Sequence, residues 1–300
     1  MKHSLCTLAV IAVFLPTPSY AQAGARTPTD EARTLESSGK RGEALDAYRK
    51  ILKENPSSFD AEIGIGRVLD LEGKYAEARQ HLQKAVELAP EDDKNAALAT
   101  LAQSYVFDAK ASDAARQYEQ AFNRQLAAGA LDAAAGTANA IGRVYLETGD
   151  VANAEKWYRT GYDTIRKMNP QTPEQTDLWE MRWEHAQARI AARRKQFDAA
   201  HRHMDVVRSI VERGRLAENQ QVQYPYLAGY VAFHEGKPDL AITELSKASQ
   251  EDPFVLGLLA QAYEQKKDQE KARSLYARIL AMSDHSLQMA FARPLAQRRK

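Results

Sequence analysis

Two columns of side chains with almost no bulk run the length of this chain, and no other feature narrows its fold as much. Three segments set the frame: GKRGEALDAYRKILKENP from Gly39, GKYAEARQHLQKAVELAP from Gly73 and GDVANAEKWYRTGY from Gly149. Weaker copies start at Ala109, Lys195, Gly236 and Lys267. Five residues after each anchor stands an alanine: Ala44, Ala78, Ala114, Ala154, Ala200, Ala241 and Ala272. Four further on comes a bulky residue: Tyr48, Leu82, Tyr118, Tyr158, Met204, Leu245 or Tyr276. Seven residues before each anchor the side chain is again minimal, at Ala32, Gly66, Ala102, Gly142, Ala188, Gly229 and Ala260.

Such columns are what stacked helical hairpins require. Two helices approach closely only where small side chains face each other, with bulky neighbours filling the adjacent groove. A glycine at the anchor permits the positive φ that ends the first helix. Pro56, Pro90 and Pro253 fall where a second helix has to stop. One hairpin cannot bury both of its faces, so each has to stack on the next.

The pattern resembles the tetratricopeptide repeat (TPR) family over about residues 27–283. The first two anchors are 34 residues apart, the family's usual period, and later spacings are 36, 40, 46, 41 and 31. The excess predicts longer helices or loops around residues 120–140, 165–178 and 208–224. The family's helix-A aromatic is present at Tyr105, Tyr145 and Tyr263, is Leu at Leu35 and Leu69, and is Ala at Ala191 and Ala232. The resemblance implies a right-handed, all-α solenoid of about seven tandem hairpins, with a C-terminal capping helix. The expected repeats are 27–56, 57–90, 91–128, 130–169, 174–214, 218–252 and 253–283, within a solenoid of 24–283. In residues 284–300, Leu287, Phe291 and Leu295 are expected to cover the last hairpin, with Arg298, Arg299 and Lys300 as a basic tail.

Residues 1–23 carry a different pattern. Lys2 and His3 precede an apolar run from Leu5 to Leu15, Pro16 and Pro18 break it, and small-x-small sites end at Ala21 and Ala23. This is the layout of a cleaved secretory signal, and the run is shorter than the roughly 20 residues of a membrane span. Cys6 lies near the start of the run, not after it where a lipidated cysteine belongs. Without residues 1–23 the chain has no cysteine and needs no disulfide, which suits a bacterial periplasm. The expected location is therefore periplasmic or secreted, with no integral anchor after cleavage. Loss of Lys2 also leaves 40 basic and 40 acidic side chains, a balance that provides no global field for nucleic acid.

No nucleophile elbow, phosphate loop or metal-ligand cluster stands out, so no catalytic residue, cofactor or metal is expected. In Gly64-Ile65-Gly66, Leu69 occupies the place of the third glycine of a dinucleotide loop. His201 and His203 point in different directions on a helix and share a metal poorly. Trp179 and Trp183, one turn apart, read as packing.

The resemblance places the residue after each small helix-A position in a concave groove: Arg33, Arg67, Gln103, Arg143, Arg189, Tyr230 and Gln261. Arg33, Arg67 and Arg143 have Glu36, Asp70 and Glu147 at intrahelical pairing distance. Arg182, His185, Arg189 and Arg193 form one basic stripe without an evident partner on their own helix, and Tyr226 and Tyr230 follow from the next repeat. The candidate partner-binding residues are thus Arg143, Arg182, His185, Arg189, Arg193, Tyr226 and Tyr230, and guanidinium forks there favour an acidic protein or peptide. The Lys and Asn clamp of some TPR proteins is missing, because its positions hold Thr29, Arg33, Gly64, Ala96 and Thr100. The expected function is a non-catalytic interaction scaffold of the cell envelope. The alternative is a glycan or cell-wall polymer module of an export system, with the tyrosines stacking on sugar rings.

Overall fold

The computed structural model describes residues 27–299, so the expected secretory signal at residues 1–23 and the end of the basic tail at Lys300 lie outside the described residues. Among the described residues the regular structure is entirely helical. Seven hairpins follow in order: α1 (Pro28–Ser37) with α2 (Arg41–Glu54), α3 (Phe59–Leu71) with α4 (Tyr75–Leu88), and α5 (Lys94–Phe107) with α6 (Ala111–Ala127). Next come α7 (Leu131–Thr148) with α8 (Val151–Ile165) and α9 (Pro173–Arg193) with α10 (Phe197–Glu212). A short α11 (Glu218–Gln221) leads into α12 (Gln223–His234) with α13 (Pro238–Leu245), then α14 (Pro253–Gln265) with α15 (Gln269–Ala281), and α16 (Leu287–Arg298) ends the chain. The long spacings appear chiefly as longer helices: α6, α7 and α9 have 17, 18 and 21 residues.

All seven anchors adopt the left-handed conformation, including Ala109 (φ 56°), Lys195 (φ 59°) and Lys267 (φ 63°). At each, the following N–H reaches back to the carbonyl four residues before the anchor, as in Lys40 to Leu35 and Gln196 to Ala191, a Schellman closure. A side chain is strained in this region and glycine is not. Lys195→Gly, at an exposed position, is therefore expected to stabilise the fold by about 0.5–1 kcal/mol, read as a higher urea midpoint.

The small columns seat the bulky one. A Cβ built on Gly66 would lie 2.4 Å from Leu82 Cγ, one on Gly229 2.5 Å from Leu245 Cγ, and one on Gly142 2.9 Å from Tyr158 Cγ. The Gly66 position also approaches the Ala78 carbonyl oxygen at 3.2 Å, so the helix A glycine meets the helix B alanine turn as well. Gly64 lies against the Tyr48 ring, so Gly64-Ile65-Gly66 is a packing surface inside α3.

Arg33 and Arg67 pair with the neighbouring repeat, not with the intrahelical carboxylates expected for them, and Arg143 lies over the Phe254 ring. Arg67 donates two 2.7 Å hydrogen bonds to Glu36, which also accepts one from Tyr48 Oη. Arg33 pairs with Asp60 at 2.7 Å. Helix α1 lies beside α3, and for Arg33 and Arg67 that neighbour offers a carboxylate in better geometry than the residue one turn away.

The array curls until its ends meet. Helix α16 packs on α14 and α15, and also on α5 of the third repeat. Arg293 donates from Nε to the Leu71 carbonyl at 2.6 Å and from Nη1 to the Leu280 carbonyl at 3.0 Å. Arg41 donates to the Met282 carbonyl at 2.8 Å. His285 lies 2.9 Å from Asp70, which also accepts from Ser104. Leu71, Phe107 and Val144 share one core with Met289, Ala290 and Ala292 of α16. The terminal helix thus covers the last hairpin and also crosses the bore, while Arg298 and Arg299 remain exposed.

Candidate functional site

With α16 across the bore, the concave face is divided into pockets. One, of about 430 Å³, is bounded by Gly136, Asn139, Ala140 and Arg143 of α7, by Arg182, His185 and Arg189 of α9, by Tyr226 of α12, and by Leu287 and Gln288 at the start of α16. It gathers three arginines, and no Asp or Glu is among its lining residues. Five of the seven candidate residues meet here: Arg143, Arg182, His185, Arg189 and Tyr226.

The basic stripe on α9 follows from its 21-residue helix, on which Arg182, His185 and Arg189 recur at one face. Aromatic rings hold the guanidinium groups in place. Arg182 lies over Trp179 at 4.6 Å, Arg143 over Phe254 at 4.6 Å and Arg189 over Tyr158 at 5.5 Å. Trp179 is buried and donates to Asp132 at 3.0 Å, so it packs as expected while supporting Arg182. Trp183 stacks on Tyr162 at 5.0 Å. Arg189 donates from Nη2 to Tyr158 Oη at 2.8 Å, and its Nη1 lies 3.7 Å from Glu147.

Arg193 and Tyr230 lie apart from this pocket. Arg193 pairs with Glu147 at 3.4 Å and lines a second pocket, of about 450 Å³, with His234 and later turns of α16. Tyr230 is fully buried, its hydroxyl 3.5 Å from Glu147. Glu147 is therefore the partner of the α9 stripe, supplied by α7 of the preceding repeat. Sequence spacing assigned it to Arg143 on its own helix. Tyr158, read as a core column residue, supplies the hydroxyl beside Arg189, and nothing in the spacing placed Leu287 or Gln288 at this site. His201 and His203 pair with different carboxylates, Glu235 at 3.4 Å and Glu184 at 2.5 Å.

Several buried polar atoms around the pocket have no hydrogen-bond partner: Arg143 Nε, His185 Nε2, Arg189 Nε and Tyr226 Oη. His185, Arg189 and Tyr226 are 7%, 6% and 7% exposed. Leaving such a group unmade costs about 1–3 kcal/mol, so their concentration here makes this pocket the candidate site. The His185 ring stacks on Tyr226 at 5.4 Å. Burial, reinforced by the charges of Arg189 and Arg143, holds its pKa well below 6.5 and keeps the ring neutral. As pH falls below 6.5 the unfolded chain takes up this proton first, so stability is lost downward from there and unaffected above. His185→Gln is expected to flatten the acid limb of a plot of unfolding midpoint against pH. An unchanged slope would contradict the burial assignment.

A stack of seven helical hairpins among the described residues, with a basic pocket in its bore, defines an α-solenoid. The tetratricopeptide repeat model matches residues 29–93, 100–170 and 226–286, and the chain belongs to that family. It is similar in fold to a tetratricopeptide repeat protein from Parabacteroides merdae, with 14% identity, a TM-score of 0.53, and 90% of this chain and 97% of that one covered. It is also similar to nearly identical TPR-like repeats of a putative kinesin light chain from Podospora anserina, with 18% identity, a TM-score of 0.52, and 62% and 94% covered. The comparison with curated proteins gives no match. TPR folds serve generally as scaffolds for protein–protein interaction.

Proposed function

We propose that this chain is a non-catalytic scaffold of a bacterial cell envelope, exported and cleaved after Ala21 or Ala23, that captures an acidic segment of another protein at the Arg143–Arg182–Arg189 pocket. The observation that carries the reading is a half-enclosed pocket with three arginines and no lining carboxylate, in a family built for protein binding. Because α16 crosses the bore, the captured segment enters as a protruding loop or chain end and does not lie along the whole groove. No described helix is long and apolar enough to cross a membrane. The glycan alternative draws no support from the tyrosines. Tyr226 is 7% exposed with His185 stacked on it, and Tyr230 is fully buried, which leaves no ring face for a sugar.

Arg182→Gln combined with Arg143→Gln is expected to reduce partner recovery in affinity capture from the native envelope about tenfold or more, with the melting temperature little changed. Equal recovery by the double variant would remove the pocket from the interface. N-terminal sequencing of the mature protein from a periplasmic fraction tests the export step, and an intact Met1 there would refute cleavage.

A further inference from the structure

The second pocket differs in kind from the basic one. It lies where α5, α7, α9 and α12 stop, and Phe107, Phe233, Phe254, Leu258, Phe291 and Leu295 give its wall large apolar side chains. Each of those helix ends is closed by a backbone hydrogen bond, such as Lys110 to Tyr105 and Lys237 to Ala232, which engages carbonyls of the last turn. Phe233, Phe291 and Leu295 are only partly buried, so the space they border keeps apolar surface uncovered. Its volume of about 450 Å³ lies in the range, roughly 300–1,000 Å³, of pockets that bury small molecules. The charges are few. Glu147 is engaged by Arg193 at 3.4 Å and Arg189 at 3.7 Å. His234 lies against Tyr230 at 4.5 Å, and burial with the Arg193 charge pushes its pKa down to about 4, so the ring is neutral. Arg298 is exposed in the last turn of α16, where no described carboxylate pairs with it, while Arg299 beside it has Glu264 at 3.4 Å. An apolar wall with one uncommitted cation matches an apolar body carrying one negative group. A ligand cation would meet Arg193 and Arg298, and a sugar would leave hydroxyls unpaired against the phenylalanines.

We infer that this second pocket binds a single-chain fatty acyl anion, with the chain among Phe233, Phe254, Leu258 and Phe291 and the head group at Arg298. At roughly 30 Å³ per water-sized group, the space takes a chain of on the order of ten to fifteen carbons. Two sources share this chemistry, a free fatty acid and a lysophospholipid whose glycerophosphate stays outside the mouth. The inference goes beyond partner capture, which concerns the other pocket, and either can fail without the other.

The test is isothermal titration calorimetry of the purified protein with ligands below their micellar concentrations. The probes are hexanoate, octanoate, decanoate, decanol, decyltrimethylammonium, decanoyl lysophosphatidylglycerol and N-acetylphenylalanine amide. Binding is expected to saturate and to tighten about fourfold per added methylene from hexanoate to decanoate. Decanol, without the charge, should bind about tenfold more weakly, and decyltrimethylammonium should not bind. Arg298→Gln, at an exposed position, should bring decanoate down to the affinity of decanol. Gln261 lines the pocket and its side chain bonds only the Gly257 carbonyl on its own helix, so Gln261→Trp should fill the space and abolish decanoate binding. Circular dichroism checks that both variants fold, and Arg298→Gln decides alone if the tryptophan variant does not. Decanoate binding more tightly than the lysophospholipid identifies the free acid, and the reverse order identifies the phospholipid. Unsaturable uptake, equal affinity for decanol and decanoate, or binding of the cation would overturn the assignment. So would N-acetylphenylalanine amide binding as tightly as decanoate, which would make the pocket a seat for a protein side chain, or unchanged decanoate binding in folded Gln261→Trp.

Discussion

Glu147→Ala is expected to destabilise the chain by about 3–5 kcal/mol, a loss comparable with much of a domain's net stability. Glu147 and Arg189 side chains are each 7% exposed and 3.7 Å apart, and Arg193 and Tyr230 reach the same carboxylate. Removing the carboxylate leaves Arg189 charged, buried and held only by Tyr158 Oη. The desolvation of a guanidinium is then uncompensated, and that penalty, not the lost Coulomb attraction, sets the size of the effect. Two controls separate these contributions. Glu147→Gln keeps an acceptor of the same shape and should lose less. The double variant Glu147→Leu with Arg189→Met removes both charges and should be more stable than Glu147→Ala. Urea unfolding with an unchanged slope and a shifted midpoint is the readout. A double variant no better than Glu147→Ala would show that the pair stabilises by attraction.

Leu82→Ala should relieve much of the cost of Gly66→Ala. In the native chain a methyl on Gly66 meets Leu82 Cγ at 2.4 Å, so Gly66→Ala overpacks the hairpin and costs about 1–3 kcal/mol. This exceeds the roughly 0.5–1 kcal/mol that alanine gains over glycine inside a helix. Leu82 is fully buried, and Leu82→Ala costs about 2–5 kcal/mol through lost burial and a cavity. In the Leu82→Ala background the 2.4 Å clash is gone and the 3.2 Å approach to the Ala78 carbonyl oxygen remains, so Gly66→Ala should cost less there than in the native chain. The double variant should therefore lose less than the sum of the two single losses. Additive losses would mean that the two positions do not touch, against the geometry of all the small-to-bulky column pairs.

The contrast between local and distant features explains what the sequence makes legible. Anchors as unlike as Gly39 and Lys195 share the left-handed turn, because helix endings and the spacing around them are set within a few residues. The columns at Gly66 and Leu82 are legible for the same reason, since a hairpin fixes their separation. The partners of charged residues were misread. Glu36 and Glu147 face arginines of the adjoining repeat, whose lateral distance leaves no trace in the period of one helix. The closure by α16 was illegible as well. Arg293 meets Leu71, and His285 meets Asp70, across more than 200 residues, and only the accumulated curl of the stack brings them together. The same curl converts an expected open groove into a pocket completed by Leu287 and Gln288. The stripe on α9 identified most of that pocket. It did not show that Arg193 and Tyr230 turn away toward Glu147.

The most direct test of partner capture at the basic pocket is site-specific photocrosslinking in living cells. The crosslinking residue is placed at Gln223 on the pocket wall or at Asp46, exposed on α2. A discrete adduct should form from Gln223, be absent from Asp46, and disappear when Arg143 and Arg182 are both changed to Gln. The same adduct from both positions, or one that survives loss of the arginines, would contradict capture at this pocket.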